Sequence, residues 1–152
     1  MNFKELFAVS KVLISKPRYI LPTYRATIKT IKICDDLYKK EHHKNGKENA
    51  FRHALWNYLI CQKCFKISGS VEAARIWSDH FTGLHEKLSP NQKLAKAMDL
   101  HNNRCGQAIF RGNEIPTEEI IHLFQEKMKL AIKISKVEEI GKTKDKLVYI
   151  ED

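Results

Sequence analysis

The chain has 152 residues, of which 43% are hydrophobic and 30% are charged, and its formal net charge is +9. This length predicts one domain, with a hydrophobic core large enough for it to fold without disulfide bonds or structural metal ions. No apolar run approaches the length that spans a bilayer, so the sequence predicts no transmembrane helix. The positive charge favours an anionic partner such as nucleic acid, an anionic membrane face or an acidic protein, although the lysines are spread along the chain.

Residues 1–15 lack the uninterrupted apolar run and the cleavage site of a signal peptide. The sequence therefore predicts a cytoplasmic protein, or one that is exported without a conventional signal peptide.

Helical periodicity and turn signals alternate along the chain and predict an all-α fold of about six helices. The predicted helices cover residues 2–15, 23–40, 47–67, 71–88, 90–110 and 117–134. Residues 146–150 predict a short extended segment in an otherwise irregular C-terminal tail. The predicted domain has N-terminal helices in residues 1–45, a motif-bearing helical core in residues 46–111, and an amphipathic helix and tail in residues 112–152.

The third predicted helix carries an unusual polar run, Asn-Ala-Phe-Arg-His-Ala-Leu-Trp-Asn, from Asn49 to Asn57. Because residues three or four apart share a helix face, Asn49, His53 and Asn57 form one stripe with Trp56, and Arg52 lies beside it. A buried amide without partners is costly, so a helix built only for packing would carry apolar residues at these places. The stripe therefore indicates a polar site between helices.

Two further polar clusters follow along the chain. A His-Glu pair at residues 85–86 lies near the end of the fourth predicted helix. The fifth predicted helix places polar or small residues on neighbouring rows: Asp99, Asn102, Asn103 and Gly106. A glycine inside a helix costs about 1 kcal/mol relative to alanine, so Gly106 predicts the close approach of another backbone or of a ligand. We expect the three clusters to meet in one helical pocket.

These clusters supply the residue types of general acid–base and metal chemistry. The candidate catalytic residues are His53, His85, Glu86 and Asp99, and the candidate metal ligands among them are His53, His85 and Asp99. The candidate substrate-binding residues are Arg52, Asn49, Asn57, Asn102 and Asn103.

Two catalytic interpretations are open. A divalent ion such as zinc, manganese or iron suits histidine and carboxylate ligands and would lower the pKa of a bound water molecule. Without a metal, His53 would be the base, oriented by Asp99 or Glu86, while Arg52 and the amides would hold an anionic group.

A third interpretation needs no catalysis. Arg52 with Asp99, and His53 with Asn102 or Asn103, would then form a buried polar network that fixes the register of the helices.

Two other patterns have metal-binding residue types. Cys61 and Cys64 have Cys-x-x-Cys spacing, and Cys34 and Cys105 would complete a four-thiolate set only if the fold brought them in. Because the motif lies in a predicted helix without the turn residues of a zinc knuckle, we expect reduced, partly buried thiols. The His-His pair at residues 42–43 lies in a polar loop, where a solvated pair is the commoner outcome.

The polar clusters resemble an uncharacterised bacterial domain family found in Rhs-type and other secreted polymorphic toxins. Its pattern is Asn-Ala-x-Arg-His-Ala-x-Trp, then a His-Glu pair, then Asp-x-x-Asn-Asn-x-x-Gly. The matching residues are Asn49, Ala50, Arg52, His53, Ala54, Trp56, His85, Glu86, Asp99, Asn102, Asn103 and Gly106. The resemblance covers residues 46–111. It implies an enzyme-like pocket and a toxin context, with a cognate immunity protein as partner, but it supplies no reaction.

The leading hypothesis is a hydrolase, with or without a metal, that acts on an anionic substrate such as a phosphoester. The alternative is a non-catalytic basic helical module that binds nucleic acid or a protein partner, with the polar residues as a structural network. The two hypotheses differ in geometry, because an enzyme needs His53, His85 and Asp99 to converge beside an open cleft.

Overall fold

A computed structural model describes residues 3–151, and within this range the fold is helical apart from two very short strands. The α-helices are α1 (Phe3–Ser15), α2 (Ile20–Tyr38), α3 (Lys47–Ser68), α4 (Val71–Leu88), α5 (Lys93–Ile109) and α6 (Thr117–Lys129). Short 3-10 helices span Pro17–Tyr19, Glu41–His43 and Val137–Lys142, and the strands β1 (Ile132–Lys133) and β2 (Val148–Tyr149) pair in parallel. The prediction of an all-α fold with a short extended tail is confirmed. Among the described residues, no helix combines the length and the apolar character that a bilayer crossing requires.

Helix α3 lies at the centre of the molecule and packs against α2, α4, α5 and α6. Ala50 and Ala54 on this helix are fully buried, and their small side chains let neighbouring helices come close. One apolar core extends from Val12 in α1 to Leu147 in the tail, so the helices and the tail pack around α3 as a single body.

Helices α3 and α5 run parallel in direct contact. Their hydrogen bonds join residues that are 50 apart in sequence, Asn49 with Asp99 and His53 with Asn103. Gly106 permits this approach, because a Cβ atom at its position would lie 2.0 Å from the backbone oxygen of Ala54. Of the two alternatives that the sequence leaves open at Gly106, another backbone or a ligand, the structure shows another backbone.

The C-terminal tail is tied to α5 by the side chain of Asn102. Its Nδ2 donates to the carbonyl oxygen of Val148 and its Oδ1 accepts from the Val148 N–H, each at 2.9 Å. Asn102 thus gives β2 the hydrogen bonds that another strand would supply. The carbonyl oxygen of Asn45, just before α3, accepts from the N–H groups of Ile150 and Glu151 and fixes the end of the tail.

Two predicted helix starts are wrong by three residues. Helix α2 begins at Ile20 rather than at residue 23, because Pro22 falls in the first turn, where N–H groups need no partner inside the helix. Helix α5 begins at Lys93 rather than at Pro90, because Ser89 closes α4, with its N–H donating to the carbonyl oxygens of that helix's last turn.

The predicted end of the sixth helix is also wrong. Helix α6 stops at Lys129 rather than at residue 134. The N–H groups of Ile132 and Ile134 donate instead to the carbonyl oxygens of Leu147 and Tyr149, each at 2.9 Å. The returning tail therefore replaces the last helical turn with a strand pairing.

Gly106→Ala is expected to lower the free energy of unfolding by about 1–3 kcal/mol or more, because the added methyl group meets the backbone of α3. Gly83→Ala in α4 is the matched control, since no atom lies within 4 Å of its added Cβ, and it should be neutral or stabilising by about 1 kcal/mol. Urea denaturation measures both variants. Equal stabilities would contradict the close contact between α3 and α5.

Candidate functional site

Three helices each present a row of three polar residues, spaced four apart, to a common interior. These polar rows are Asn49, His53 and Asn57 on α3, Ser78, Thr82 and Glu86 on α4, and Asp99, Asn103 and Gln107 on α5. Each of these side chains belongs to a residue that is at most 7% exposed. Because α4 runs opposite to α3 and α5, its Ser78 contacts Asn57 and its Glu86 lies beside His53.

One end of the polar rows, the Asn57 end, contains Asn57, Ser78, Thr82 and Gln107. There, every polar atom of the Asn57 side chain is hydrogen-bonded. The Oδ1 atom of Asn57 accepts three hydrogen bonds of 2.8–2.9 Å, from Ser78, Thr82 and Gln107. Its Nδ2 donates to the carbonyl oxygen of His53 at 3.0 Å and to Asn103 Oδ1 at 2.7 Å. Since every polar atom of the Asn57 side chain is occupied, this end fixes the packing of the three helices and offers nothing to a ligand.

At the other end, His53 is held in one orientation and one tautomer. Its Nδ1 donates to Asn103 Oδ1 at 2.9 Å, an oxygen that can only accept. Its Nε2 is therefore unprotonated, with Arg52 Nη2 at 3.2 Å and Asp99 Oδ1 at 3.3 Å. Burial, and then the charge of Arg52, lower the pKa of His53 to about 3, so the ring is neutral at physiological pH.

Two buried carboxyl groups flank the His53 ring: Asp99 Oδ1 lies 3.3 Å from the unprotonated Nε2, and Glu86 Oε1 lies 3.7 Å from Nδ1. One ligand-capable atom from each of His53, Glu86 and Asp99 lies within 4.8 Å of the other two. Burial and then the nearby Asp99 raise the pKa of Glu86 to about 8, and burial raises the pKa of Asp99 to about 6 against the opposing charge of Arg52. Among the described residues, Glu86 Oε1 has no hydrogen-bond partner. The His53 end is thus incomplete, unlike the Asn57 end.

Arg52 and His53 connect this end to the surface. A cleft of about 260 Å³ lies between α2, α3 and α4, and its walls include Thr27, Ile31, Arg52, His53, Trp56 and His85. The Nη2 of Arg52 donates to Asn49 Oδ1 at 2.8 Å, and Asn49 in turn donates to Asp99 at 3.3 Å. The guanidinium is therefore anchored beside the carboxyl groups while it lines the cleft.

His85 lies at the rim of the cleft. Its side chain is 59% exposed, its ring centroid is 5.3 Å from that of Trp56, and its Nε2 is 4.0 Å from Glu86 Oε1. The indole of Trp56 donates to Thr27 Oγ1 at 2.8 Å and so joins α3 to α2 beneath the rim.

The sequence places this fold in a known family. Residues 10–132 match the family described as a domain of unknown function (DUF6973). The chain belongs to this family. The prediction of an uncharacterised domain is confirmed to that extent, whereas the bacterial origin and the toxin association stay predictions. No curated protein and no solved structure matches the chain.

Most of the predicted site residues meet inside this DUF6973 domain. Those in or beside the polar rows are Asn49, Arg52, His53, Asn57, Glu86, Asp99 and Asn103. Asn102 does not join them, because both of its polar atoms bind β2, and it is not available to a substrate. The predicted metal set changes by one member: Glu86, not His85, completes the buried group with His53 and Asp99.

Four polar residues of this region were not predicted from the sequence. Ser78, Thr82 and Gln107 complete the Asn57 end, and the Nδ2 of Asn91 lies 3.5 Å from Asp99 Oδ2. The signal for the first three was present, because they extend the rows of Glu86 and Asn103 at a spacing of four residues. Asn91 gave no such signal, since it precedes α5 in a connection whose path the sequence does not reveal.

The remaining metal-type residues lie elsewhere. All four cysteines are buried and free, and none joins a group of three candidate ligands in residues 3–151. Burial raises the pKa of Cys61 to about 12 and of Cys64 to about 11, which keeps both protonated. Asp35, His42 and His43 form a second candidate group at the end of α2, where the exposed Asp35 pairs with buried His42 at 2.7 Å.

Asn57→Ala is expected to lower the free energy of unfolding by about 3 kcal/mol or more, because it removes the acceptor that three buried donors share and both hydrogen bonds that the Asn57 amide donates. Asn113→Ala removes an amide at an exposed position and serves as the control. Urea denaturation of both variants gives the difference. A loss below about 1 kcal/mol for Asn57→Ala would mean that the network does not hold the helices together.

The pKa of Glu86 predicts a pH dependence of stability. Folding raises this pKa from 4.5 to about 8, so between these values the folded protein binds a proton that the unfolded chain releases. Below pH 6.5 the lowered pKa of His53 acts in the opposite direction, so the metal-free protein should lose stability most clearly as pH rises from 6.5 to about 8, by up to about 1.4 kcal/mol per pH unit. Urea titrations in chelator across the window should show the slope in the unchanged chain and in Glu118→Gln, an exposed control. The variant Glu86→Gln should reduce the slope of stability against pH. An unchanged slope in this variant would show that Glu86 does not cause the pH dependence.

Proposed function

We propose that the protein is a hydrolase that cleaves a phosphoester with the help of a divalent metal ion held by His53, Glu86 and Asp99. The supporting observation is the buried convergence of these side chains within 4.8 Å, with Glu86 Oε1 lacking a partner among the described residues. When both carboxyl groups are ionised they carry two negative charges in a buried place against the single positive charge of Arg52, and a divalent ion would offset the excess. Nitrogen and oxygen ligands of this kind suit zinc, manganese or iron.

The surrounding contacts support a role for each neighbour. Asn103 accepts from His53 Nδ1 and so directs Nε2 towards Asp99, as the outer partner of a metal-binding histidine does. Arg52 lines the cleft beside Nε2 and would bind the anionic oxygens of a phosphoester. Burial and the nearby Arg52 lower the pKa of His85, which leaves a neutral imidazole at the cleft rim for proton transfer.

Hydrolysis of a phosphodiester adds one water molecule across a P–O bond. The water oxygen bonds to phosphorus, the bond to one ester oxygen breaks, and a proton lost from the water is balanced by one gained by the leaving oxygen. A divalent ion lowers the pKa of a water molecule that it binds and offsets charge on the phosphoryl oxygens. Arg52 would hold the remaining phosphoryl oxygens, and His85 would carry the proton to the leaving group.

The resemblance to domains of secreted polymorphic toxins is consistent with this activity. In that setting the hydrolase would damage a recipient cell, and a cognate immunity protein would be its partner.

The competing hypothesis, a basic module that binds nucleic acid or a protein, predicts a different response to salt and to mutation. Binding would be spread over many lysines and would weaken steeply with salt. His53→Ala would leave that binding unchanged in a folded protein.

Calorimetric titration of chelator-treated protein with Zn²⁺ or Mn²⁺ should reveal a site that Glu86→Gln or Asp99→Asn weakens by about tenfold or more. Asp79→Asn, at an exposed position on α4, is the matched control and should bind as the unchanged chain does. Circular dichroism shows that each variant is folded. Equal metal affinity in all four proteins would contradict the proposed site.

Turnover of a phosphodiester should be abolished by chelator and restored by the metal. His85→Gln should lower kcat by about 100-fold while metal affinity stays the same, because the change removes proton transfer but no ligand. An unchanged kcat would remove His85 from the mechanism, and activity that persists in Asp99→Asn would contradict the proposed reaction.

A further inference from the structure

Helix α2 exposes an apolar stripe, which consists of Leu21, Tyr24, Ile28 and Ile31. These residues recur at spacings of three and four, so they lie along one face, and each is 41–62% exposed. Scattered exposed hydrophobic residues are ordinary, but a continuous row of large ones along a helix marks an interaction surface. The α2 stripe therefore needs an occupant.

The charges beside the α2 stripe indicate what that occupant is. Arg25 follows Leu21 by four residues and Lys32 follows Ile28 by four, so a basic row lies next to the apolar one, and both basic residues are exposed. The acidic Asp35, four residues after Ile31, lies at the end of this face and pairs with His42. A helix with large apolar side chains on one face and basic side chains beside them is typical of binding in the plane of an anionic membrane surface. A second copy of the chain fits poorly, because it would bring two basic rows together.

The α2 stripe is continuous with the cleft of the candidate site. Ile31 belongs to both, being part of the stripe and part of the cleft wall. A second cavity of about 440 Å³ shares Phe81 and His85 with the cleft and is otherwise lined mainly by apolar residues such as Leu84 and Leu88. A mainly apolar cavity thus adjoins the cleft where Arg52 and His53 meet the surface.

We propose that the α2 stripe docks on an anionic lipid surface and that the cleft takes the phosphoester headgroup of a lipid from it. The acyl chains would lie along the stripe and the adjoining apolar cavity, and Arg52 would bind the phosphate. Hydrolysis would then break one P–O bond of the phosphodiester with water and release an alcohol and a phosphomonoester. The substrate class rests on the proposed function, whereas the docking does not.

Vesicle co-sedimentation of the full chain tests the docking. Binding to vesicles that contain phosphatidylglycerol should exceed binding to phosphatidylcholine vesicles by about tenfold or more, and salt should weaken it. The double variant Leu21→Glu with Ile28→Glu should lose at least about tenfold in binding. Ile76→Glu is the matched control, because Ile76 is 61% exposed on α4 but lies outside the stripe, and it should bind as the unchanged chain does. Circular dichroism confirms that all three are folded.

Three results would overturn the docking. One is the absence of binding to anionic vesicles, and another is equal binding by the double variant. The third is a dimer, seen by analytical ultracentrifugation, that the double variant dissolves, because the stripe would then join two copies.

Rates of hydrolysis on two substrates distinguish a failure of the docking proposal from a failure of the proposed function. The unchanged chain should hydrolyse phosphatidylglycerol in vesicles faster than a short-chain, water-soluble phosphodiester, and the double variant should lose at least about tenfold on vesicles but little on the short-chain ester. Equal loss on both substrates, or no loss on vesicles, would overturn the lipid assignment. If neither ester were hydrolysed while vesicle binding held, the proposed hydrolase would fail and the docking would stand. If Asp99→Asn left both activities intact, the assignment of hydrolysis to the His53, Glu86 and Asp99 group would fail and the docking would stand.

Discussion

Polar side chains buried between α3, α4 and α5 must find their partners inside the protein, and this requirement fixes how the three helices meet. The spacing of four residues keeps each polar row on one face of its helix. Partners 50 residues apart set α3 and α5 parallel, and α4 closes the group from the opposite direction. Gly106 makes the arrangement possible, because only a residue without a Cβ lets α5 come so near the backbone of Ala54.

The two ends of the polar rows meet the need for buried hydrogen-bond partners in different ways. At the Asn57 end, amides and hydroxyls match donor to acceptor, which is enough to hold the fold. At the His53 end the chain places two carboxyl groups and an unprotonated ring nitrogen together, beside a surface cleft and next to Arg52. Amide side chains in place of the carboxyl groups would have completed the hydrogen bonding at this end, as amides do at the Asn57 end. Under the proposed function, the Asn57 end holds the fold and the His53 end carries the chemistry, so the network interpretation and the site interpretation each describe one end.

Much of this arrangement follows from the sequence, because helical periodicity places residues on faces before any fold is known. The row of Asn49, His53 and Asn57 and the backbone approach at Gly106 were predictable in this way. The exchange of Glu86 for His85 as the third buried group was not, since neighbours on a helix point about a quarter-turn apart and only packing decides which one faces inward. Asn102 likewise shares a face with the site residues, but a tail that returns from 46 residues farther along captures it.

The most direct test of the buried group as a metal centre is anomalous X-ray diffraction from crystals of the protein loaded with Mn²⁺ or Zn²⁺. We expect a peak at coordination distance, about 2.0–2.2 Å for zinc, from His53 Nε2 and from carboxylate oxygens of Glu86 and Asp99, with the His53–Asn103 hydrogen bond kept. A metal bound only elsewhere, with the His53, Glu86 and Asp99 side chains unmoved and empty between them, would contradict it.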